Sequence, residues 1–134
     1  MYKLWMIFFL CFSFLPKSYA EDYLIIDFMA PWCVPCKQME ADAWADQEVK
    51  AYLTGDKHVD FKKIDVDAKP VLAKDYNITK VPTIVITKWN TETKKWEEIE
   101  RIGYSRPKPL LEFFRKIIHP GLKLKTFAVN ESFL

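Results

Sequence analysis

Residues 32–37 read Trp-Cys-Val-Pro-Cys-Lys, and they directly follow an apolar run at residues 23–30. Two cysteines separated by two residues, at the point where a strand passes into a helix, can form a reversible dithiol/disulfide pair. The stretch therefore predicts electron transfer between sulfur atoms. A Cys-x-x-Cys pair alone is ambiguous, but here Asp27 lies six residues before Cys33 and a Val-Pro-Thr stretch follows at residues 81–83. The combination is much more specific than the pair.

The first twenty residues have the layout of a secretory signal peptide. They carry a positive charge at Lys3, an apolar run at residues 4–15 and small residues up to Ala20. A membrane anchor is the alternative, but a spanning helix needs roughly 20 apolar residues, and Pro16 interrupts this run earlier. A lipoprotein site at Cys11 is disfavoured because a bulky leucine precedes it. We predict cleavage after Ala20, with one domain at residues 21–120.

Loss of this segment changes the charge and the cysteine count. The whole chain has 20 basic and 18 acidic residues, and removal of Lys3 and Lys17 leaves a formal net charge of zero. Neither nucleic acid nor an anionic membrane surface is therefore predicted as a partner. The cysteine count falls from three to two, Cys33 and Cys36. Secreted proteins normally use cysteines in structural bridges, but here the only disulfide that can form is the working one.

The hydrophobic pattern after residue 20 predicts a small α/β domain, and 50% hydrophobic residues are enough for a real core. The helices between strands in the first half predict parallel pairing there, and the polar turn at residues 90–93 predicts an antiparallel hairpin. The result is a mixed sheet with helices on both faces. In chain order we predict strand 23–29, helix 34–43, helix 47–53, strand 59–66 with an irregularity around Lys62 and Lys63, helix 70–76, strand 81–89, strand 94–102 and helix 107–118.

The chain resembles the thioredoxin-fold family. The residues that carry the resemblance are 27–37, the Phe-Lys-Lys-Ile-Asp-Val-Asp run at 61–67, the Val-Pro-Thr at 81–83, and Gly103. They occur in the family's order and approximate spacing and span most of the predicted domain. The Val-Pro pair between the cysteines and the residues that follow are most similar to periplasmic thioredoxin-like domains of disulfide-reducing pathways.

The sequence departs from the family at its start. Family members have a further strand and helix before the strand that leads into the dithiol motif, and a chain that begins at Glu21 lacks them. We therefore expect a four-stranded sheet with one exposed edge, which is a liability in solution. The C-terminal tail, residues 121–134, contains several apolar side chains and is predicted to pack where the usual element is missing. The alternative is a frayed terminus.

The two cysteines are expected to have different roles. Cys33 should lie just before the helix, where free amides and the helix dipole favour its thiolate, so it is the predicted nucleophile. Cys36, one turn later and expected to be more buried, is the predicted resolving thiol. No cofactor beyond this redox-active disulfide is expected. The alternative is half of a zinc site, but zinc needs two more ligands, and only His58 and His119 are available, so no metal is predicted.

Asp27 and Lys63 are the predicted proton-handling residues. Asp27 interrupts an apolar strand, so it should be buried beneath the motif with a raised pKa, which suits proton exchange with Cys36. Lys63 matches the family's lysine that pairs with this acid. The alternatives are that Asp27 only makes local hydrogen bonds and that Lys63 is an ordinary solvated lysine.

Three further residues are predicted to meet the substrate. Pro82 resembles the family's cis proline, which would turn the Val81 backbone toward an extended substrate segment. A trans proline that starts a strand is the alternative. Trp32, together with Pro31, is predicted to form the apolar rim that shields the sulfurs, whereas Trp89 and Trp96 are predicted to pack within the hairpin.

These residues together predict an exported thiol-disulfide oxidoreductase. Val34 and Pro35 place no charge between the cysteines, which favours a reductase or electron carrier over an oxidant. The expected partners are disulfide-bearing exported proteins and a membrane-embedded electron donor, since the chain has no nucleotide-binding motif. We expect a monomer in the periplasm. The alternatives are an oxidase or isomerase, or a non-catalytic binding or chaperone module.

Overall fold

A computed structural model of the protein describes residues 21–121. The predicted signal peptide, and the tail from residue 122 onward, lie outside the described residues. The elements are β1 (Tyr23–Met29), α1 (Val34–Ala41), α2 (Gln47–Gly55), β2 (Val59–Asp65), α3 (Pro70–Asp75), β3 (Thr83–Asn90), β4 (Lys95–Ile102) and α4 (Pro107–Ile118). Every predicted element is present, and the largest differences in bounds are two residues.

The four strands form one mixed sheet in the order β2-β1-β3-β4. β1 and β2 are parallel, as predicted, and β3 and β4 form the predicted antiparallel hairpin. β3 is antiparallel to β1 although a helix precedes it, so the parallel pairing is limited to β1 and β2. The reason is length: β2 spans about 23 Å, whereas the six residues of α3 span only about 9 Å. α3 therefore cannot carry the chain back along the sheet, and β3 starts where β2 ends.

Helices cover both faces of the sheet, as predicted. We call the side that carries α1, α2 and α4 the α4 face, and the opposite side the α3 face. Alternate residues of β1 point to opposite faces, which explains why its sequence is almost continuously apolar. The main core lies on the α4 face and includes Tyr23, Ile25, Met39, Trp44, Val49, Ile84, Ile86, Leu110 and Phe114. A smaller core lies on the α3 face and includes Leu24, Ile26, Phe28 and Val85.

The predicted irregularity in β2 is wrong, because β2 pairs with β1 in an unbroken register over its whole length. The apolar alternation of β2 changes phase because the two halves of the strand are covered on different faces of the sheet. Val59 and Phe61 pack on the α4 face, whereas Ile64 packs on the α3 face near α3. Lys62 is exposed and Lys63 lies on the α4 face beside α1. A regular strand can thus show an apparent break in alternation when each end is covered on a different side.

The hairpin is held by the predicted tryptophan pair. Trp89 and Trp96 stand opposite each other, with ring centroids 5.3 Å apart in an edge-to-face arrangement. Their packing role is therefore confirmed.

None of the helices within residues 21–121 has the length and apolar character needed to cross a membrane.

Candidate active site

The sheet topology brings the two parts of the predicted site to one edge. β1 ends at Met29 and β3 begins at Thr83, and because the two strands are antiparallel neighbours these ends lie side by side. The loop after β1 carries Cys33, and the loop before β3 carries Val81. A small apolar cluster joins the two loops, formed by Met29, Ala30, Cys33, Cys36, Val66 and Val81.

Cys33 and Cys36 are joined by a disulfide, with their Cα atoms 5.2 Å apart. Cys33 is the N-cap of α1, as predicted, and Pro35 lies in the first turn, where a missing N–H costs nothing. The amide of Cys36 donates a hydrogen bond to the Cys33 sulfur at 3.2 Å. A free helix-end amide at this position favours negative charge on the sulfur.

Burial does not distinguish the two cysteines. Cys33 is 3% exposed and Cys36 is 7% exposed, so the prediction that Cys36 is the more buried is wrong. Both sulfurs lie in the apolar cluster described above, because the disulfide holds them together. The difference between them is position on the helix: only Cys33 caps α1 and accepts the amide hydrogen bond.

Asp27 is buried beneath α1, as predicted, with only 3% of its surface exposed. It occupies a position of β1 that faces the α4 side, and its Oδ1 has no hydrogen-bond partner within the part of the chain that the structure describes. Burial raises the pKa of Asp27 to about 6. The positive charge of Lys63 opposes this shift, and the negative charge of Glu40 adds to it. Asp27 therefore changes charge within the physiological range.

Lys63 does not form the direct ion pair with Asp27 that the family resemblance implied. It lies beside Asp27 in the β1-β2 register, but its ammonium group binds Glu40 Oε2 on α1. Lys63 acts on Asp27 only through its charge, which lowers the pKa of the carboxyl. Because Lys63 and Glu40 are both partly exposed, the buried carboxyl has an ion pair above it rather than a partner of its own.

The Val81-Pro82 peptide bond is cis, as predicted. Pro82 is buried, and Gly103 passes beside its carbonyl oxygen, where an added Cβ would lie 3.7 Å away. Val81 is half-buried and packs against the cysteine cluster. The backbone before β3 is thus close to the disulfide, which is the placement that the prediction required.

Trp32 and Val34 are the exposed apolar side chains around the disulfide, with 66% and 62% of their surfaces accessible. The Trp32 indole nitrogen donates a hydrogen bond to Asp67 Oδ2 at 2.8 Å, which fixes the ring at the rim of the site. Asp67 was not predicted as a site residue. The predicted parallel pairing of β1 and β2 could have identified Asp67. The residues that follow these two strands lie at the same edge of the sheet.

Glu40 was also missed as a site residue. It lies one helical turn after Cys36, on a position that shares a helix face with that cysteine, and it follows the motif closely in sequence. That spacing could have identified it. Its ion pair with Lys63, however, involves a residue of a separate strand, so spacing alone does not predict that pair.

The two histidines lie at the opposite end of the sheet from the cysteines. His58 Nδ1 is 2.9 Å from Asp22 Oδ1, and His119 Nε2 is 3.1 Å from Asp56 Oδ2. Within residues 21–121, no group of three or more His, Cys, Asp or Glu side chains is arranged to hold a metal ion. The histidines therefore tie the ends of elements together and lie away from the redox pair.

The sequence matches the family model described as Thioredoxin over residues 14–103. Its first matched residues fall within the predicted signal peptide. Thioredoxin H2 of Arabidopsis thaliana is 39% identical over 83 residues, which are 62% of this chain and 53% of that protein. The chain thus spans about half the length of this relative. A thioredoxin of Mycoplasma genitalium is 32% identical over 101 residues, or 71% of this chain and 82% of that protein.

The fold also matches a solved structure. The solution structure of a thioredoxin from Thermus thermophilus aligns with a TM-score of 0.64 and 23% identity, covering 75% of this chain and 76% of that one. At this level of identity the match shows the fold alone, a mixed sheet with helices on both sides.

Proposed function

Since this chain belongs to the thioredoxin family, we propose that it is a thiol-disulfide oxidoreductase that reduces protein disulfides or passes electrons on. The observation that carries the proposal is the bonded pair Cys33-Cys36, with Cys33 at the N-cap of α1 and a buried carboxyl, Asp27, on the strand beneath. A pair used only for structure would need neither the capping position nor the buried acid.

In the reduced protein, the proposed reaction begins with the Cys33 thiolate. It attacks one sulfur of a substrate disulfide, forms a mixed disulfide and releases the other substrate sulfur as a thiolate. Cys36 then loses its proton and attacks the Cys33 sulfur, which releases the second substrate thiolate. Two electrons have passed to the substrate, and the product is the Cys33-Cys36 disulfide of the structure.

Asp27 is the proposed proton acceptor for Cys36. With a pKa of about 6, this carboxyl is close enough to neutral pH both to take a proton and to release it again. Lys63 and Glu40 adjust that value through their charges. We assign the proton transfer to Asp27 and a charge-tuning role to Lys63.

Substrates are proposed to dock on the backbone before β3. Val81 lies beside the cysteine cluster, and Trp32 and Val34 supply exposed apolar surface next to it. An extended segment could pair with the Val81 backbone as an added strand. Since such pairing uses main-chain groups, the protein is expected to accept many substrate sequences.

The direction of electron flow can be tested through the reduction potential. We expect the Cys33-Cys36 couple to lie near about −270 mV, the value for thioredoxins, and not near about −120 mV, the value for strong oxidants. The measurement is equilibration with glutathione or dithiothreitol, together with insulin reduction. Pro35→His provides the internal comparison, because a histidine between the cysteines stabilises the thiolate and should make the potential less negative. A wild-type value near that of strong oxidants would contradict the reductase proposal.

We propose that the protein is exported to the periplasm through residues 1–20 and acts there as a monomer. The support is the layout of the segment, which has a positive charge first, then an apolar run and then small residues. Its electrons would come from a membrane-embedded donor, since a dithiol in an oxidising compartment must be reduced again. The expected result is a periplasmic protein whose measured mass begins at Glu21. Recovery from the cytoplasm with residues 14–20 retained would contradict export and would assign them to the domain instead.

A further inference from the structure

The strand directions bring four connecting segments to the edge of the sheet that carries the disulfide. β1 and β2 both end there, since Met29 stands beside Asp65. β3 begins there and β4 ends there, since Ile84 stands beside Ile102. We call the segments at this edge the dithiol rim, and they comprise residues 30–37, 66–69, 78–82 and 103–106. A substrate disulfide must approach Cys33 across this rim.

The charged side chains of the dithiol rim are mostly positive. There are four cations and one carboxylate, namely Lys37, Asp67, Lys69, Lys80 and Arg106. All of them are exposed, and the carboxylate accepts the hydrogen bond from the Trp32 indole. The rim is therefore a positive patch around the disulfide, although the whole chain, with 20 basic and 18 acidic residues, is close to neutral.

The lysines of the rim are not neutralised by ion pairs with the described chain. Within residues 21–121, no carboxylate forms an ion pair with Lys37, Lys69 or Lys80. Arg106 differs, because it lines a surface cleft together with two aspartates that lie between α1 and α2. The three lysines thus supply most of the positive charge that a substrate would meet.

Lys80 lies next to the backbone on which substrates are proposed to dock. It immediately precedes Val81, and its carbonyl oxygen accepts a hydrogen bond from the Thr83 hydroxyl at 2.7 Å. This bond holds the backbone just before β3. Neighbouring residues of an extended segment are only about 3.3 Å apart. A segment that paired with Val81 would therefore pass the Lys80 side chain within a few residues of its reactive cysteine.

An anionic lipid surface is the other class of ligand that a positive patch attracts. A bilayer bound to the dithiol rim would cover the disulfide and keep substrates away from Cys33. A protein segment, by contrast, must meet the dithiol and the lysines at the same time. The placement of the lysines around the disulfide therefore favours a substrate protein over a membrane.

We propose that the dithiol rim selects disulfides whose cysteines are flanked by acidic side chains. This preference presupposes the thiol-disulfide reaction proposed above and names the class of protein that reacts fastest. Pairing with the Val81 backbone still accepts many sequences, and the lysines favour the acidic ones among them by speeding their encounter with the rim. Such a preference weakens as salt screens the charges.

The test compares three disulfide-bonded peptides that are identical except for glutamate, glutamine or lysine on both sides of each cysteine. Each rate with the reduced protein is divided by the rate of the same peptide with dithiothreitol, which corrects for the reactivity of the peptide itself. At about 10 mM ionic strength, kcat/KM for the glutamate peptide should exceed that for the lysine peptide by about tenfold or more. At about 1 M salt the two values should agree within about twofold.

The two proposals fail in different ways in this experiment. Equal rates for the three peptides at low salt, or a preference that salt does not reduce, would overturn the acidic selectivity and leave the reductase proposal standing. Reduction of none of the peptides would reject the reductase proposal and the selectivity with it.

Two matched double variants locate the preference on the rim. Lys69→Gln with Lys80→Gln should lower the ratio of glutamate to lysine peptide rates by about two- to tenfold at low salt, with little change for the glutamine peptide. Lys50→Gln with Lys57→Gln removes the same charge from exposed positions outside the rim and should leave the ratio unchanged. Equal effects of the two variants would overturn the proposal, because net charge would then be the cause.

Sedimentation with phosphatidylglycerol vesicles tests the lipid alternative. We expect the wild-type protein and the Lys69→Gln, Lys80→Gln variant to bind such vesicles equally. Vesicle binding that is lost in this variant, together with equal rates for the three peptides, would assign the positive patch to a lipid surface and overturn the proposal.

Discussion

Replacing Cys33 with serine is expected to abolish disulfide reduction, whereas replacing Cys36 with serine is expected to stop the reaction half-way. Without the Cys33 sulfur no mixed disulfide can form, so insulin reduction should fall by at least about 10³-fold, the scale for loss of a catalytic nucleophile. The Cys36→Ser protein retains the attacking thiolate at the N-cap of α1. It should therefore accumulate a covalent complex with the substrate, since nothing resolves that bond.

The measurement is a comparison of the reduced proteins, which all lack the disulfide and so do not differ in that crosslink. Turnover is followed by insulin precipitation, and the mixed disulfide by non-reducing electrophoresis and intact mass. Met39→Leu, a conservative change in the buried side of α1, controls for small changes in packing. Turnover by Cys33→Ser equal to that of the wild type would reject the catalytic role, and trapping by Cys33→Ser in place of Cys36→Ser would reverse the two assignments.

Replacing Asp27 with asparagine is expected to stabilise the protein above about pH 6 while slowing the reaction. The carboxyl has a pKa of about 6 when folded, against 3.8 for an ordinary aspartate. Between these values the folded state holds more protons than the unfolded state, so this group makes the free energy of unfolding fall as the pH rises from about 4 to about 6. The loss is at most about 3 kcal/mol. An amide carries no charge, so the variant should avoid that loss.

Urea unfolding of the oxidised proteins between pH 4 and pH 8 measures this effect. The advantage of Asp27→Asn should be smallest at pH 4 and reach its full size above about pH 6. Glu112→Gln makes the same change from carboxylate to amide at an exposed position of α4 and should show no such pH-dependent gain. An advantage for Asp27→Asn that did not change with pH would mean that the buried charge is not its cause.

The kinetic part of this prediction concerns the step in which Cys36 resolves the mixed disulfide. Loss of the proposed proton acceptor should slow that step by about 10²-fold or more near neutral pH. Glu40→Gln tests the charge-tuning role separately from the proton transfer. The negative charge of Glu40 raises the pKa of Asp27, so its removal should lower that pKa. Its pH-rate profile should shift to lower pH with little change in the maximum. An unchanged profile would show that the ion pair does not tune the acid.

Features set by neighbouring residues could be predicted from the sequence. The apolar run at residues 23–30 predicted the strand β1, and the hydrophobic pattern predicted a helix at residues 107–118, which is α4. Cys33 was identified as a helix cap because a proline and a helical pattern follow it. Apolar periodicity, capping and proline geometry act over a few residues, so a single sequence carries them.

Contacts between distant segments were decided only by the tertiary structure. Lys63 could be placed beside Asp27 by family resemblance, but the ion pair that it forms with Glu40 depends on how α1 lies over β2. The equal burial of the two cysteines, the hydrogen bond from Trp32 to Asp67 and the antiparallel direction of β3 have the same origin. The sequence by itself thus determined the elements and the dithiol motif, because these depend on local patterns. The tertiary structure decided the charges and partners around the dithiol, because these depend on which separate elements meet at one edge of the sheet.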